Sequence, residues 1–177
     1  MLIVSDTSPL RYLIEIEAID VLPRLYGEIL TTPQVLTELR QGQFPAVVRH
    51  WADCLPGWLK IESPTTVQFL ESLDEGEATA LSLAIERHAD VLLVDERKAT
   101  RVARDRGLAT AGTLAVLRDA ALSGMLDFRQ AVRRLTSETA FHHTRALIDR
   151  VIADFETERQ FGGRDGGEGG QAGEGGH

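Results

Sequence analysis

Four acidic residues are the side chains of this sequence best suited to chemistry: Asp6, Glu38, Glu77 and Asp95. Asp6 and Asp95 each follow a short apolar run, the pattern of a strand buried on both faces of a sheet. In open α/β sheets, ligands bind at the edge formed by the carboxyl ends of the strands. If the two strands are parallel neighbours, both carboxylates lie at that edge.

Carboxylates gathered at one place repel each other and raise each other's pKa, and a bound divalent cation removes that cost. Mg²⁺ and Mn²⁺ prefer oxygen ligands, and they usually take few protein carboxylates and complete their shell with water and phosphate. Such a site suits phosphodiester hydrolysis, because the metal activates a water and stabilises the developing charge. The acidic residues therefore favour metal-dependent chemistry on a phosphodiester.

The elements that must position these residues alternate between strands and helices. This alternation predicts an α/β fold, a three-layer α/β/α sandwich with a central, mainly parallel sheet of four or five strands. The predicted strands lie at residues 2–4, 28–30, 58–62, 91–94 and 108–111.

Capping signals predict where the helices begin. Ser8-Pro9 and Thr32-Pro33 each suit an N-cap followed by a first helical position. Asp74, with Glu77 three residues later, predicts a capping box. The predicted helices lie at residues 8–19 (one short helix or two), 32–40, 46–52, 74–88, 97–106, 112–124, 127–135 and 143–160.

Length and composition indicate an ordinary globular protein. The chain has 177 residues, of which 43% are hydrophobic and 26% charged, enough for one domain with a core. We predict a single domain over residues 1–160, with C-terminal helices from about residue 112, and a disordered glycine-rich tail over residues 161–177. Cys54 is the only cysteine, so no internal disulfide forms, and the sequence shows no signal peptide or membrane span. A cytoplasmic location follows as the default expectation.

Charge is unevenly distributed along the chain. Residues 1–96 carry 6 Lys and Arg against 16 Asp and Glu, whereas residues 97–150 carry 11 against 5. This pattern suits an acidic metal site beside an anion-binding surface, although basic helix faces exposed to solvent explain it equally well. Four basic residues at helical spacing are the candidates to hold an RNA backbone: Arg97, Lys98, Arg101 and Arg104. Because no aromatic stacking platform accompanies them, the sequence does not support sequence-specific reading of bases.

The order of the acidic motifs resembles the PIN domain family, which includes the VapC ribonuclease toxins. Val-Ser-Asp-Thr-Ser at Asp6, Val-Leu-Thr-Glu-Leu at Glu38 and Leu-Leu-Val-Asp at Asp95 resemble three of the family's motifs. Glu77 falls where many members have aspartate. The most similar branch is uncharacterised and has a Gly-Glu-Ala helix, an Asp-Asp-Arg-type turn (residues 95–97 here, with Glu96 in place of aspartate) and a later Gly-Thr-Leu motif. The likeness extends from Asp6 to about residue 122.

The resemblance implies an endoribonuclease that depends on Mg²⁺ or Mn²⁺ and acts as the toxin of a type II toxin–antitoxin pair. It also implies an RNA substrate, a cognate antitoxin and a homodimer. No membrane association is expected, because no apolar run is long enough to span one. The implied metal ligands are Asp6, Glu77 and Asp95, with Glu96 as an additional candidate, and Glu38 joins them in the catalytic set. Ser8 and Thr113 are implied as supporting residues.

Other interpretations of the same residues remain open. Asp6 also suits a plain N-cap, Glu38 a solvated helix position, Glu77 a plain capping-box residue, and Asp95 a helix start favoured by the helix dipole. The alternative function is a non-catalytic PIN-fold protein that binds RNA or a partner. A phosphatase with an aspartate nucleophile is disfavoured, because Ser8 stands where that class needs a second aspartate.

Overall fold

The computed structural model describes residues 1–68 and 72–162. The chain divides into two units, one of residues 1–142 and one that begins at residue 143. The predicted tail lies outside the described residues from residue 163 onward, and the predicted single domain over residues 1–160 stays a prediction. None of the helices in the described part of the chain is long and apolar enough to span a membrane.

The first unit contains a five-stranded sheet in which every pairing is parallel, in the order β3-β2-β1-β4-β5. Helices flank this sheet, which confirms the predicted α/β/α fold. The strands are β1 (Ile3–Ser5), β2 (Ile29–Thr31), β3 (Leu59–Ile61), β4 (Val91–Leu93) and β5 (Thr110–Ala111).

Among the described residues of the first unit, eight helices connect or follow these strands. They are α1 (Thr7–Glu15), α2 (Val21–Tyr26), α3 (Pro33–Leu39), α4 (Ala46–Asp53), α5 (Glu75–Glu86), α6 (Arg97–Asp105), α7 (Thr113–Leu122) and α8 (Phe128–Glu138). The second unit contains α9 (Arg145–Gly162).

The position of β1 determines where the site lies. This strand is fully buried and pairs with β2 on one side and β4 on the other, with Ser5 opposite Leu93. The backbone N–H of Asp6 still donates to the carbonyl of Leu93, at 2.9 Å. The residues that follow β1 and β4 therefore lie at the same edge of the sheet, as two parallel neighbouring strands require.

The predicted N-cap of the first helix was wrong. Asp6, and not Ser8, occupies that position, and Ser8 lies in the first turn of α1. The reason is tertiary: Asp6 remains extended (φ −77°, ψ 175°) because its N–H pairs with β4. The helix begins immediately after that hydrogen bond, at Thr7.

Candidate functional site

Asp6 is a buried carboxylate whose hydrogen bonding is incomplete. Its side chain is 3% exposed, it makes no capping hydrogen bond, and Oδ1 is buried without a partner. Burial raises the pKa of this carboxyl well above its ordinary value, and the charges of Glu77, Asp74 and Glu38 raise it further. An unpaired buried charge is costly, so a plain N-cap role does not account for Asp6.

Glu38 is held at the site by two other segments. Its Oε2 accepts a hydrogen bond from the Thr7 hydroxyl, and its Oε1 accepts one from the backbone N–H of Gly76 at 2.8 Å. A Cβ on Gly76 would lie 2.3 Å from Oε2 of Glu38, so glycine is required for this close approach. These contacts contradict the interpretation of Glu38 as a solvated helix residue.

Glu77 combines a capping role with a place in the acidic cluster. Asp74 Oδ1 accepts from the backbone N–H of Glu77 at 2.8 Å, and Glu77 Oε2 accepts from the backbone N–H of Asp74 at 3.1 Å. This confirms the predicted capping box. Burial raises the pKa of Glu77 to about 7, and the charges of Asp74, Glu96 and Glu38 contribute to the increase.

Asp95 follows β4 and is bound through both carboxylate oxygens. Oδ1 accepts from the backbone N–H of Thr113 and Oδ2 from its hydroxyl, each at 2.7 Å. Burial raises the pKa of this carboxyl, and the two Thr113 hydrogen bonds lower it. The N-cap of α6 is Glu96, which accepts from the backbone N–H of Lys98. Asp95 is therefore not the residue that caps this helix.

Two glycines make room for these carboxylates in the same way. Gly76 lies in the first turn of α5 against Glu38, and Gly112 is the N-cap of α7 against Asp95. A Cβ on Gly112 would lie 2.8 Å from Oδ1 of Asp95. In both places a carboxylate from another segment accepts a backbone N–H at a helix N-terminus, where negative charge is favoured. This accounts physically for the glycines of the Gly-Glu-Ala and Gly-Thr-Leu motifs.

A cleft of about 230 Å³ lies beside this cluster. The residues that line it are Asp6, Thr7, Ser8, Glu38, Gln41, Gln43, Phe44 and Asp74. The structure thus brings Asp6, Glu38 and Asp74 to one cleft, with Glu77 coupled to them electrostatically. Asp95 lies at the same sheet edge, but its oxygens are directed to Thr113.

The chemistry of this donor set fits a hard divalent cation. Within the described ranges, no three acidic, histidine or cysteine side chains are arranged to hold a metal ion as they stand. However, Asp6 supplies a buried oxygen without a partner, and the charges that raise its pKa are all carboxylates. Oxygen donors of this kind are the ligands that Mg²⁺ and Mn²⁺ prefer, and a cation there would offset the repulsion.

The predicted RNA-binding residues lie apart from the cleft lining. All four side chains are exposed on α6, the helix that begins directly after Glu96: Arg97, Lys98, Arg101 and Arg104. Arg104 donates to the hydroxyl of Thr110 at 3.0 Å. These side chains form an exposed basic surface on the helix that follows Asp95.

Sequence reasoning did not assign a role at the site to several residues that the structure places there. Thr7 directly follows Asp6, and Asp74 was recognised only as a helix cap. Gly76 was part of a recognised motif, but nothing in the sequence indicated the carboxylate that it accommodates. Phe44 gave no signal, because it lies in the irregular segment between two predicted helices.

The pKa shift of Glu77 predicts a pH-dependent stability for the metal-free protein. The folded state keeps a proton on Glu77 up to about pH 7, whereas the unfolded chain releases it near its ordinary pKa of 4.5. Stability therefore falls as pH rises through this window. We expect urea denaturation in EDTA to show that the free energy of unfolding falls by roughly 1–2 kcal/mol across this pH range. The decrease should be smaller in Glu77→Gln.

The matched control for this experiment is Glu75→Gln. Glu75 lies in the same first turn but is exposed. Glutamine at position 77 can still accept the backbone N–H of Asp74, so the capping box survives the test substitution. Equal pH slopes in Glu77→Gln and the unmodified protein would contradict the assignment.

An all-parallel sheet with carboxylates at the carboxyl ends of its strands defines an α/β protein of the kind that binds ligands at that edge. The family model DUF3368, described as a PIN domain, matches residues 2–157 of the chain. The chain therefore belongs to the PIN domain family. Members of this family are generally nucleases that use divalent metal ions.

One solved structure similar to this chain is a PilT N-terminus domain protein from the hyperthermophilic archaeon Sulfolobus solfataricus P2. It is 12% identical in sequence, with a TM-score of 0.47, and the likeness covers 81% of this chain and 100% of that one. No curated protein matches the chain at a significant level.

Proposed function

We propose that this protein is a metal-dependent endoribonuclease that hydrolyses RNA phosphodiester bonds with Mg²⁺ or Mn²⁺ as its cofactor. The observation that carries this proposal is the buried, unpartnered Oδ1 of Asp6 beside an acidic cleft. Membership of the PIN domain family supports the nuclease class.

The proposed metal ligands are Asp6, Glu77 and Asp95, with Glu96 as an additional candidate. A bound divalent cation supplies an activated water and stabilises negative charge on the phosphate. Thr113 fixes the orientation of the Asp95 carboxylate through its two hydrogen bonds.

The other residues of the site orient the reactants. Glu38 is a catalytic residue in this proposal, held in place by Thr7 and Gly76 so that its carboxylate borders the cleft. Ser8 lies on the cleft wall, where its hydroxyl is a donor for a phosphate oxygen. The RNA backbone is held by the exposed basic side chains of α6, Arg97, Lys98, Arg101 and Arg104.

The direct test is cleavage of single-stranded RNA by the purified protein. We expect cleavage with added Mn²⁺ or Mg²⁺, none in EDTA, and recovery when the metal is restored. The double variant Asp6→Asn plus Asp95→Asn should lose this activity, because it removes two charged oxygen ligands. Full activity of the double variant would overturn the mechanism.

A specific observation favours the alternative, a non-catalytic PIN-fold protein that binds RNA or a partner. Both oxygens of Glu38 and both oxygens of Asp95 already accept hydrogen bonds within the protein. RNA binding without cleavage in either metal ion would support this alternative.

The finer part of the proposal is a role as the toxin of a type II toxin–antitoxin pair. In this role the protein acts in the cytoplasm as a homodimer and is inhibited by a cognate antitoxin protein. The support is the resemblance of the acidic motifs to those of VapC-like toxins. A small DNA-binding protein encoded beside this chain would strengthen the pairing.

A further inference from the structure

Phe44 forms part of the cleft wall close to the acidic cluster. It lies in the segment between α3, which carries Glu38, and α4. Its backbone N–H donates to the carbonyl of Gln41 at 3.1 Å and closes a turn, and Pro45 follows as the N-cap of α4. The turn and the proline restrict the backbone that carries the ring.

Arg11 covers one face of the Phe44 ring. Its guanidinium carbon lies 4.5 Å from the centroid of Phe44 and 5.2 Å from that of Tyr12. Arg11 Nε also donates to Glu15 Oε1 at 2.6 Å, so the guanidinium is held in position. Arg11 occupies one face of the half-buried ring, and Phe44 also lines the cleft, so we expect a planar group in the cleft to stack on the other face.

Two amide side chains stand beside the ring. Gln41 and Gln43 both line the cleft, and Gln43 Nε2 donates to Gln41 Oε1 at 3.0 Å. Each amide carries both donors and an acceptor, which is the combination that the edges of unpaired bases require. The lining of the cleft therefore combines an aromatic ring and two amides with carboxylates.

We propose that Phe44 is a stacking platform for one unpaired RNA base, and that Gln41 and Gln43 contact the edge of that base. The carboxylates that line the cleft then lie close to the adjoining phosphodiester. This inference therefore rests on the proposed nuclease function. Bases in a duplex are already stacked and paired, whereas bases of single strands can be splayed out onto aromatic rings. The platform therefore requires a base that is not held in a duplex.

The first test is a comparison of Phe44→Leu, which keeps apolar volume, with Phe44→Trp, which keeps a stacking surface. Base–aromatic stacking contributes about 1–3 kcal/mol, so Phe44→Leu should raise KM for single-stranded RNA about 5- to 150-fold. With Phe44→Trp, KM should return to that of the unmodified protein. The turnover number and the Mn²⁺-induced rise in melting temperature should not change. Val47→Ala is the control, because Val47 is 51% exposed on α4.

The second test measures stacking without cleavage. A single-stranded RNA hexamer with one 2-aminopurine is titrated into Asp6→Asn protein with Mn²⁺ present. We expect quenching of the 2-aminopurine fluorescence, a weaker effect with Phe44→Leu added, and none with the same base in a duplex.

The two proposals fail in distinguishable ways. Cleavage with unchanged KM and unchanged quenching in the Phe44→Leu background would overturn the stacking platform and leave the nuclease intact. Quenching that depends on Phe44, in a protein that cleaves nothing with either metal, would support the platform and overturn the nuclease. No quenching and no cleavage by any form of the protein would overturn both.

Discussion

The Asp6→Asn variant should be more stable than the unmodified protein without metal and inactive with it. Asparagine removes a buried negative charge whose Oδ1 has no partner and whose neighbours Glu77, Asp74 and Glu38 are also acidic. The neutral amide also removes the repulsion between position 6 and those carboxylates. Relief of an unsatisfied buried group is worth about 1–3 kcal/mol.

The gain in stability should depend on pH in a defined direction. The raised pKa of Asp6 means that the folded state keeps the carboxyl protonated at low pH, where asparagine offers little advantage. As pH rises from the ordinary pKa of 3.8 to the raised pKa, the unfolded chain releases its proton while the folded state keeps it, so the difference between the two proteins should grow and then level off. Denaturation in EDTA at several pH values measures this difference.

Whereas the stability of the metal-free protein should rise in Asp6→Asn, its activity and its metal binding should fall. We expect Mn²⁺ to raise the melting temperature of the unmodified protein, as a ligand specific to the folded state does, and to leave that of Asp6→Asn unchanged. RNA cleavage should fall on the order of 100-fold or more, the scale on which loss of one electrostatic group acts in a catalytic site.

Asp20→Asn is the matched control for this variant. Asp20 is also a helix N-cap whose side chain makes no capping hydrogen bond, but it is exposed. The same substitution there should change neither stability nor activity measurably. If Asp6→Asn destabilised the metal-free protein or kept its response to Mn²⁺, Asp6 would have a structural role and not a ligand role.

Local patterns in the sequence were sufficient for much of the fold. The apolar runs before Asp6 and Asp95 predicted two buried strands, because strands covered on both faces have little polar content. The pairing of Asp74 with Glu77 predicted a capping box, since both partners lie within one helical turn. These features depend on interactions between residues close together in the chain.

The site depends on contacts between distant segments, which local patterns do not determine. Glu38 receives hydrogen bonds from residues 31 and 38 positions away in the chain. The start of α1 was mispredicted because a hydrogen bond to β4 keeps Asp6 extended. The predicted site requires that β1 and β4 be neighbours, which the sequence allowed but did not determine. The sheet order places them side by side.

Gly76→Ala should leave the protein folded and strongly impair its activity. A Cβ at this position would lie 2.3 Å from Oε2 and 2.6 Å from Oε1 of Glu38, so the flexible end of Glu38 must move. The carboxylate then loses the backbone N–H of Gly76, held at 2.8 Å, and its contact with the Thr7 hydroxyl. Stability should change little, because alanine is favoured over glycine in a helix by up to about 1 kcal/mol. This gain offsets the loss of the Glu38 hydrogen bonds.

The loss of activity should be about 10- to 100-fold, the usual cost of disturbing groups that orient a metal site. Gly57→Ala is the control, because nothing lies within 4 Å of a Cβ placed there. Combining Gly76→Ala with Glu38→Asp shortens the carboxylate side chain by one methylene and should restore part of the activity, as measured by RNA cleavage with Mn²⁺. Full activity of Gly76→Ala, with an unchanged melting temperature, would mean that the position of the Glu38 carboxylate does not matter for the reaction.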